Sequence, residues 1–294
     1  MSALAAVCIA LVGLAGCVAA NDDDSTSAPN DDDSSSSARA CNGSPLLCDR
    51  PFDTVALPST HNSMSNAEDG WIAPNQQFSI ERQLDDGIRG MMFDTYYDGD
   101  EIVLCHTYCQ LGSRPLVDAL EGVAGFLEEN PNEVVAIIFQ DAVSAEDTAA
   151  AFEAAGLTES MYSWDGGAWP TLAEMLDAGQ RMVVGAESRG PPPAWYHHAW
   201  DVWQDTPYSF GSVDAFSCAP NRGTEESPLF LVNHWVSNPL STEANAVVAN
   251  AEEVLAARVD ECMAERGQIP NLVAVDHYAV GDLFEVVDGL NGVE

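Results

Sequence analysis

Two histidines define the chemistry this chain could perform. His61 and His106 stand about 45 positions apart, each at the end of a short apolar run. A pair of neutral-range imidazoles with carboxylates nearby suits acid–base work on a phosphodiester. One ring takes a proton from the attacking hydroxyl while the other gives one to the leaving oxygen. Five further apolar runs end the same way. Met91-Met92-Phe93 stops at Asp94, Val134 to Phe139 at Gln140-Asp141, and Met182 to Val184 shortly before Glu187. Leu229 to Val232 ends at Asn233-His234, and Leu272 to Val275 at Asp276-His277. Sequence motifs of serine esterases, zinc proteases and lysine-ended phosphate loops are absent.

Short continuous apolar runs read as strands buried on both faces. In barrels of parallel strands, functional groups gather at the carboxyl ends of those strands. Helical patterns alternate with the runs: Ser79 to Asp86, Arg114 to Asn130, Ser144 to Ala155, Thr171 to Ala178, Thr242 to Arg266 as the longest, and Val280 to Leu290. The alternation, over roughly 250 residues, predicts an α/β fold, an irregular (β/α)8 barrel of the TIM type. The aromatic, Pro-rich stretch from Gly190 to Pro228 is expected as an elaborated loop over the barrel mouth.

The flanks of this domain have a different character. Residues 1–20 read as an export signal, since the apolar stretch from Ala3 to Ala15 is too short to span a bilayer comfortably. Leu14-Ala15-Gly16-Cys17 resembles the lipobox of bacterial lipoproteins, which implies a lipid on Cys17 and anchoring to the bacterial cell envelope. Cleavage near Ala19-Ala20 would give a secreted protein instead. Residues 21–40 hold two Asp triplets and a run of four serines, the composition of a self-repelling tether. The folded domain is expected over residues 41–294, as a monomer.

Across all 294 residues, 47 acidic side chains face 10 basic ones for a net charge of −37, and every one of the ten is arginine. Such a polyanion excludes nucleic acid as a partner, whose binding depends on cationic contacts to phosphate. Six cysteines remain beyond Cys8 and Cys17, and export makes disulfides plausible. Six allow fifteen connectivities. Local spacing favours Cys41–Cys48 and Cys105–Cys109, which leaves Cys218–Cys262. A zinc site lacks both a Cys-x-x-Cys pair and matching histidines.

Pro58-Ser59-Thr60-His61-Asn62-Ser63, Gly87 through Asp94, and Leu104-Cys105-His106-Thr107 together resemble the X domain of phosphatidylinositol-specific phospholipases C. Asp94-Thr95-Tyr96, Trp169-Pro170-Thr171, Cys218 through Arg222 and Asn271 through Asp276 resemble its plant and microbial branch of X-domain-containing proteins. The resemblance runs from about Phe52 to Tyr278. It implies a phosphoric diester hydrolase acting on an inositol phospholipid or related diester. His61 would be the base on the attacking hydroxyl, His106 the acid on the leaving oxygen, and Asp276 the carboxylate that orients His61.

Departures accompany the match. Calcium-dependent relatives place ligands at the positions of Asn62, Met92, Asp94 and Gln140, but methionine is no ligand for a hard cation and Gln140 offers only a neutral carbonyl. Metal-independent bacterial enzymes carry arginine where this chain has Asp94. The expectation is therefore a weakly held Ca²⁺ or Mg²⁺ at Asn62, Asp94 and Asp141, with Gln140 as a neutral ligand. Arg89, Glu187, Asn233 and His234 are candidate substrate contacts, although Arg89 could simply pair with Asp85 or Asp86 and His234 could be core. The competing reading is a surface protein that binds lipid or another ligand on a degenerate barrel and catalyses nothing.

Overall fold

The computed structural model describes residues 39–237 and 240–293. The export signal, the lipobox with Cys17 and nearly all of the tether lie outside these residues. Ten strands form one sheet: β1 (Leu57–Thr60), β2 (Gly90–Asp98), β3 (Glu101–Leu104), β4 (Arg114–Pro115), β5 (Val135–Asp141), β6 (Met182–Ala186), β7 (Tyr196–His198), β8 (Trp203–Asp205), β9 (Leu229–His234) and β10 (Leu272–Val275). Eight of them run parallel in the order β7-β6-β5-β2-β1-β10-β9-β8. That is chain order around a barrel. A single turn of helix, α5 (Ala199–Val202), joins β7 directly to β8, and no ladder among the described residues closes that seam.

Helices follow the strands: α1 (Ile80–Asp85), α2 (Leu116–Glu129), α3 (Ala145–Ala154), α4 (Leu172–Asp177), α6 (Glu243–Ala249), α7 (Glu252–Arg266) and α8 (Leu283–Asn291). Their starts are set by local chemistry. Ser144 accepts from the Asp147 amide at the head of α3, and Thr171 with Glu174 forms a capping box on α4. Among the described residues no helix is long and apolar enough to cross a membrane.

Strand alternation divides the core into two layers. Met91, Phe93, Ile137, Phe139, Val184 and Val273 pack outward against Leu120, Val123 and Val259 of the helices. Their neighbours Leu57, Met92, Ala136, Ile138, Val183 and Leu272 fill the barrel interior. Parity along each strand therefore decides which polar residue at its end can reach the interior.

Three expectations are corrected. The run Ile102 to Cys105 is no barrel strand, because β2 runs on past the barrel to Asp98 and β3 returns antiparallel beside it. Two barrel strands, β7 and β8, lie inside the stretch expected as loop; with three residues each they are too short to show a period. Trp195, Tyr196 and Trp203 are buried there as packing. The long helix from Thr242 to Arg266 is broken at Asn250-Ala251. The buried Asn250 side chain leaves the helix register and donates to the carbonyls of Asp276 and Val280. The three disulfides pair as local spacing favours: Cys41–Cys48, Cys105–Cys109 and Cys218–Cys262.

Candidate active site

A cavity of about 450 Å³ opens at the carboxyl ends of the strands, lined by His61, Asn62, Asn75, Met92, Asp94 and His106. Gln140, Glu187, Tyr208, Arg222 and Trp235 line it as well. His61 follows β1, and its amide continues the ladder by donating to Val275 O. Its Nδ1 lies 2.9 Å from Oδ1 of the buried Asp276, at the end of β10. The indole of Trp235, one residue beyond β9, stacks on the imidazole at 3.8 Å with planes 3° apart. Nδ1 is thus committed to the carboxylate and the ring cannot turn. Nε2 is left as the nitrogen able to exchange a proton at the cavity.

Asp276 is itself held. Asn75 Nδ2 donates to its Oδ1 at 3.1 Å, and the carbonyl of Asn75 accepts the His277 amide. Gln76 Nε2 donates to the carbonyls of both His61 and Val275. The adjacent pair Asn75-Gln76 therefore clamps the ends of β1 and β10 together.

His106 reaches the cavity by another route. Where β3 ends, the Cys105 amide donates to Asp94 O, and the Cys105–Cys109 disulfide tightens the turn that follows. Burial, reinforced by the neighbouring His61, holds the His106 pKa below the usual imidazole range. His106 thus lines the cavity from the end of an antiparallel strand, not from a barrel strand.

Asp94 is inward by parity, almost fully buried, and its carboxylate receives no hydrogen bond from the described residues. Burial chiefly, with repulsion from Glu187 and against the attraction of His61, pushes its pKa up to about 7. Its interior neighbours are Met92 and Ile138, the apolar floor of the cavity.

The expected cation set does not assemble. Asp141 pairs in register with Thr95 and faces outward, where Oδ1 accepts the Ser188 amide at 2.8 Å. One step along a strand reverses the face, so Asp141 cannot stand in for Gln140. Among the described residues no three or more His, Cys, Asp or Glu side chains converge as a metal site. A hard divalent cation takes about six to eight oxygen ligands with anionic charge among them. Asn62, Gln140 and the single carboxylate of Asp94 fall short of that demand.

Of the expected substrate contacts, only Glu187 lines the cavity. Arg89 lies at the amino end of β2, the opposite end of the barrel, where it pairs with Glu133 at 2.7 Å and stacks on Phe126. His234 is fully buried, donates from Nε2 to Ala249 O at 2.7 Å, and has its pKa lowered to about 3 by burial. Asn233 is buried too and donates to Asp205 Oδ2 and Thr206 O. These two residues support the site from behind.

Arg222 was given no role in the sequence reading, though the motif containing it was noted. Its Nε and Nη2 grip the fully buried Asp205 at 2.9 and 2.6 Å, and Nη1 meets Glu187 at 2.6 Å. The guanidinium rests on the rings of Trp200 and Tyr208, 3.9 and 4.7 Å away. Asn75 and Trp235 were also missed. No spacing signal could mark them, because their roles arise only where distant segments meet.

The family model PI-PLC X 1 matches residues 47–291. The chain belongs to the PI-PLC X family. A PI-PLC X domain-containing protein 1 of Arthroderma benhamiae is 27% identical over 86% of this chain and 90% of its own length. An uncharacterized secreted protein of the same fungus and a PI-PLC X domain-containing protein of Arabidopsis thaliana are each 28% identical. This chain spans 65% and 66% of their respective lengths. Among solved structures, a mutant phosphatidylinositol-specific phospholipase C of Staphylococcus aureus superposes with a TM-score of 0.57 at 13% identity. The match covers 84% of this chain and 95% of that one, and shows a shared barrel fold. The scaffold is that of the phospholipase C-like phosphodiesterases.

Proposed function

We propose that the protein is an exported phosphodiesterase of the phospholipase C type, working by two-histidine acid–base catalysis without a metal. The observation that supports this reading best is the convergence of the His61–Asp276 pair and His106 on one cavity. His61 Nε2 takes the proton of a hydroxyl adjacent to the phosphate, and that oxygen attacks phosphorus. As the bond to the leaving oxygen breaks, His106 gives it a proton, and a cyclic phosphate remains. Water can then open the ring with the roles exchanged, His106 taking a proton and His61 returning one. Asp276, 2.9 Å from Nδ1, stabilises the imidazolium that forms on His61 in the first step.

The side of the cavity at His106 supports a lipid leaving group. A second, largely apolar recess of about 270 Å³ opens beside His106, lined by Trp71, Ile72, Tyr108, Leu111 and Leu240. Ile72, Tyr108 and Leu240 are more than half exposed, a rim suited to an acyl chain or a membrane surface. An inositol phospholipid or a close relative fits this arrangement. Export is supported by the three disulfides and by the secreted fungal relative. The lipid anchor at Cys17 is part of the same proposal.

The test is cleavage of a panel of diesters by the protein, with calcium and with chelator. Phosphatidylinositol, phosphatidylcholine, sphingomyelin and glycerophosphoinositol would each be offered to wild type, His61→Ala and His106→Ala. Turnover lost in both variants and retained with chelator is the expected result. No turnover above the variants on any diester would favour the ligand-binding reading, for which the apolar floor of Met92 and Ile138 speaks.

A further inference from the structure

We propose that Arg222 holds the non-bridging oxygens of the substrate phosphate, the cationic task moved from the end of β2 to the connection between β8 and β9. The proposal deepens the phosphodiesterase reading and rests on it. A phosphodiester attacked at phosphorus gathers negative charge on its non-bridging oxygens, and a fixed donor there lowers the barrier. The end of β2 supplies no such donor, since Asp94 occupies it. Of the chain's ten cations, all arginine, Arg222 alone lines the cavity among the described residues.

The guanidinium is built into place rather than draped over the surface. The chain around Arg222 lies along β8: the Asp205 amide donates to Arg222 O, and the Arg222 amide donates to Asp205 Oδ1 at 2.7 Å. This approach is close enough to require glycine next door. Gly223 has φ +77, and a Cβ there would come within 2.2 Å of Trp203 O. Asp205 is wholly buried, and five donors from Asn221, Arg222 and Asn233 converge on its carboxylate. Its work is to fix the arginine. Of the five N–H groups on the guanidinium, three are engaged by Asp205 and Glu187. Two are left, the number a bidentate hold on a phosphate needs.

The charges around it narrow the substrate class. Glu187 and Asp94 line the same cavity and Asp205 lies directly behind, so one arginine stands among three carboxyl groups. With a single cation in the cavity, only one phosphate can be met by a charged donor, and the carboxyl groups around it disfavour further negative charge. A second phosphate on the alcohol would face Glu187 with no cation to meet it.

Two measurements on wild type, Arg222→Lys, Arg222→Gln and His61→Gln test this. The first uses Rp and Sp phosphorothioate forms of the diester that wild type cleaves. Wild type should prefer one diastereomer, whereas Arg222→Gln should lose that preference along with about a hundredfold in kcat. The second needs no turnover: dibutyl phosphate, an inert monoanionic diester, should raise the Tm of wild type and of His61→Gln but not of Arg222→Gln. Arg222→Lys keeps a charge against Asp205 and Glu187, so it secures the comparison if the Gln variant folds poorly; it should bind the diester weakly and discriminate between diastereomers less. An arginine that merely pins the loop would leave the diastereomer preference and the diester-induced Tm shift unchanged, which would overturn the proposal. Diester binding that depends on Arg222 in a protein that cleaves nothing would support the anion site and reject the phosphodiesterase reading.

Discussion

Replacing Asp94 with asparagine should stabilise the protein above neutral pH and do little below pH 4. The side chain is nearly fully buried, and burial chiefly, then Glu187, raises its pKa from the ordinary 3.8 to about 7. For an acid with a raised folded-state pKa, the native state holds a proton that the unfolded chain releases. Stability is therefore full below the unfolded value, falls as pH rises between about 4 and 7, and levels off above. A shift of about three pKa units, at about 1.4 kcal/mol each, makes the loss about 4 kcal/mol. Asparagine has no proton to give up and a similar shape, so it escapes this loss. Urea unfolding of both proteins from pH 4 to pH 8, disulfides intact, would measure the difference. The gap in unfolding free energy should widen in favour of Asp94→Asn across that window. A gap that does not change with pH, or a wild type more stable at pH 8, would refute the reasoning. Calcium adds a second arm: if Asp94 were a ligand, the ion would raise wild-type stability at pH 8 and leave Asp94→Asn unmoved.

Asp276→Asn removes the charge that meets His61 Nδ1 at 2.9 Å. Losing a charge-assisted hydrogen bond of about 1.5–3 kcal/mol should lower kcat about tenfold to a hundredfold with KM little changed, as steady-state kinetics on the cleaved diester would show. His106 must be protonated to act as the acid, and burial with the help of His61 holds its pKa below 6.5. The proton-loaded form is therefore lost as pH rises through a value under 6.5, and kcat/KM should decline along that limb, which a pH profile of the wild type would reveal. Removing the Cys218–Cys262 disulfide, which closes a separation of 44 residues, should cost about 4 kcal/mol by loop entropy. Denaturation of the double serine variant checks that figure, and a loss under 1 kcal/mol would contradict it.

Much of the barrel is legible in the sequence because β2, β5, β6, β9 and β10 are continuous apolar runs buried on both faces. Their ends announce Asp94, Glu187 and Asp276 directly. Strands β7 and β8 escape notice because three residues cannot display a period, and their aromatic content reads equally well as loop. Asp141 illustrates a subtler failure. Adjacency in sequence suggested it as a substitute for Gln140, while the pleat sends neighbours to opposite faces. Arg89 failed for a related reason, since a basic residue beside a functional strand reveals nothing about which end of that strand it occupies. Arg222, Asn75 and Trp235 depend on contacts across tens to hundreds of positions, which no local pattern records.

The backbone shows where the fold accepts strain to hold its reactive groups. Among the described residues five non-glycine positions have positive φ, and three of them directly follow the site residues: Asn62 after His61, Thr107 after His106, His277 after Asp276. Asparagine tolerates this conformation, but for the β-branched Thr107 at φ 62 it is a clear outlier. Each such residue costs on the order of 1–3 kcal/mol and persists only where its surroundings enforce it. Those surroundings are visible: Gln76 binds the His61 carbonyl, the Tyr108 amide bonds to His106 O beside the Cys105–Cys109 disulfide, and Asn250 binds the Asp276 carbonyl. A left-handed residue turns the chain sharply as it leaves the strand, so the side chain just before it stays at the cavity instead of continuing the pleat. The strain lies on the residues that follow, and it fixes His61, His106 and Asp276, the three to which the proposal gives the proton transfers. A barrel that had kept only its fold would have no need of this arrangement, and for that reason the strained trio favours the catalytic reading over the ligand-binding one.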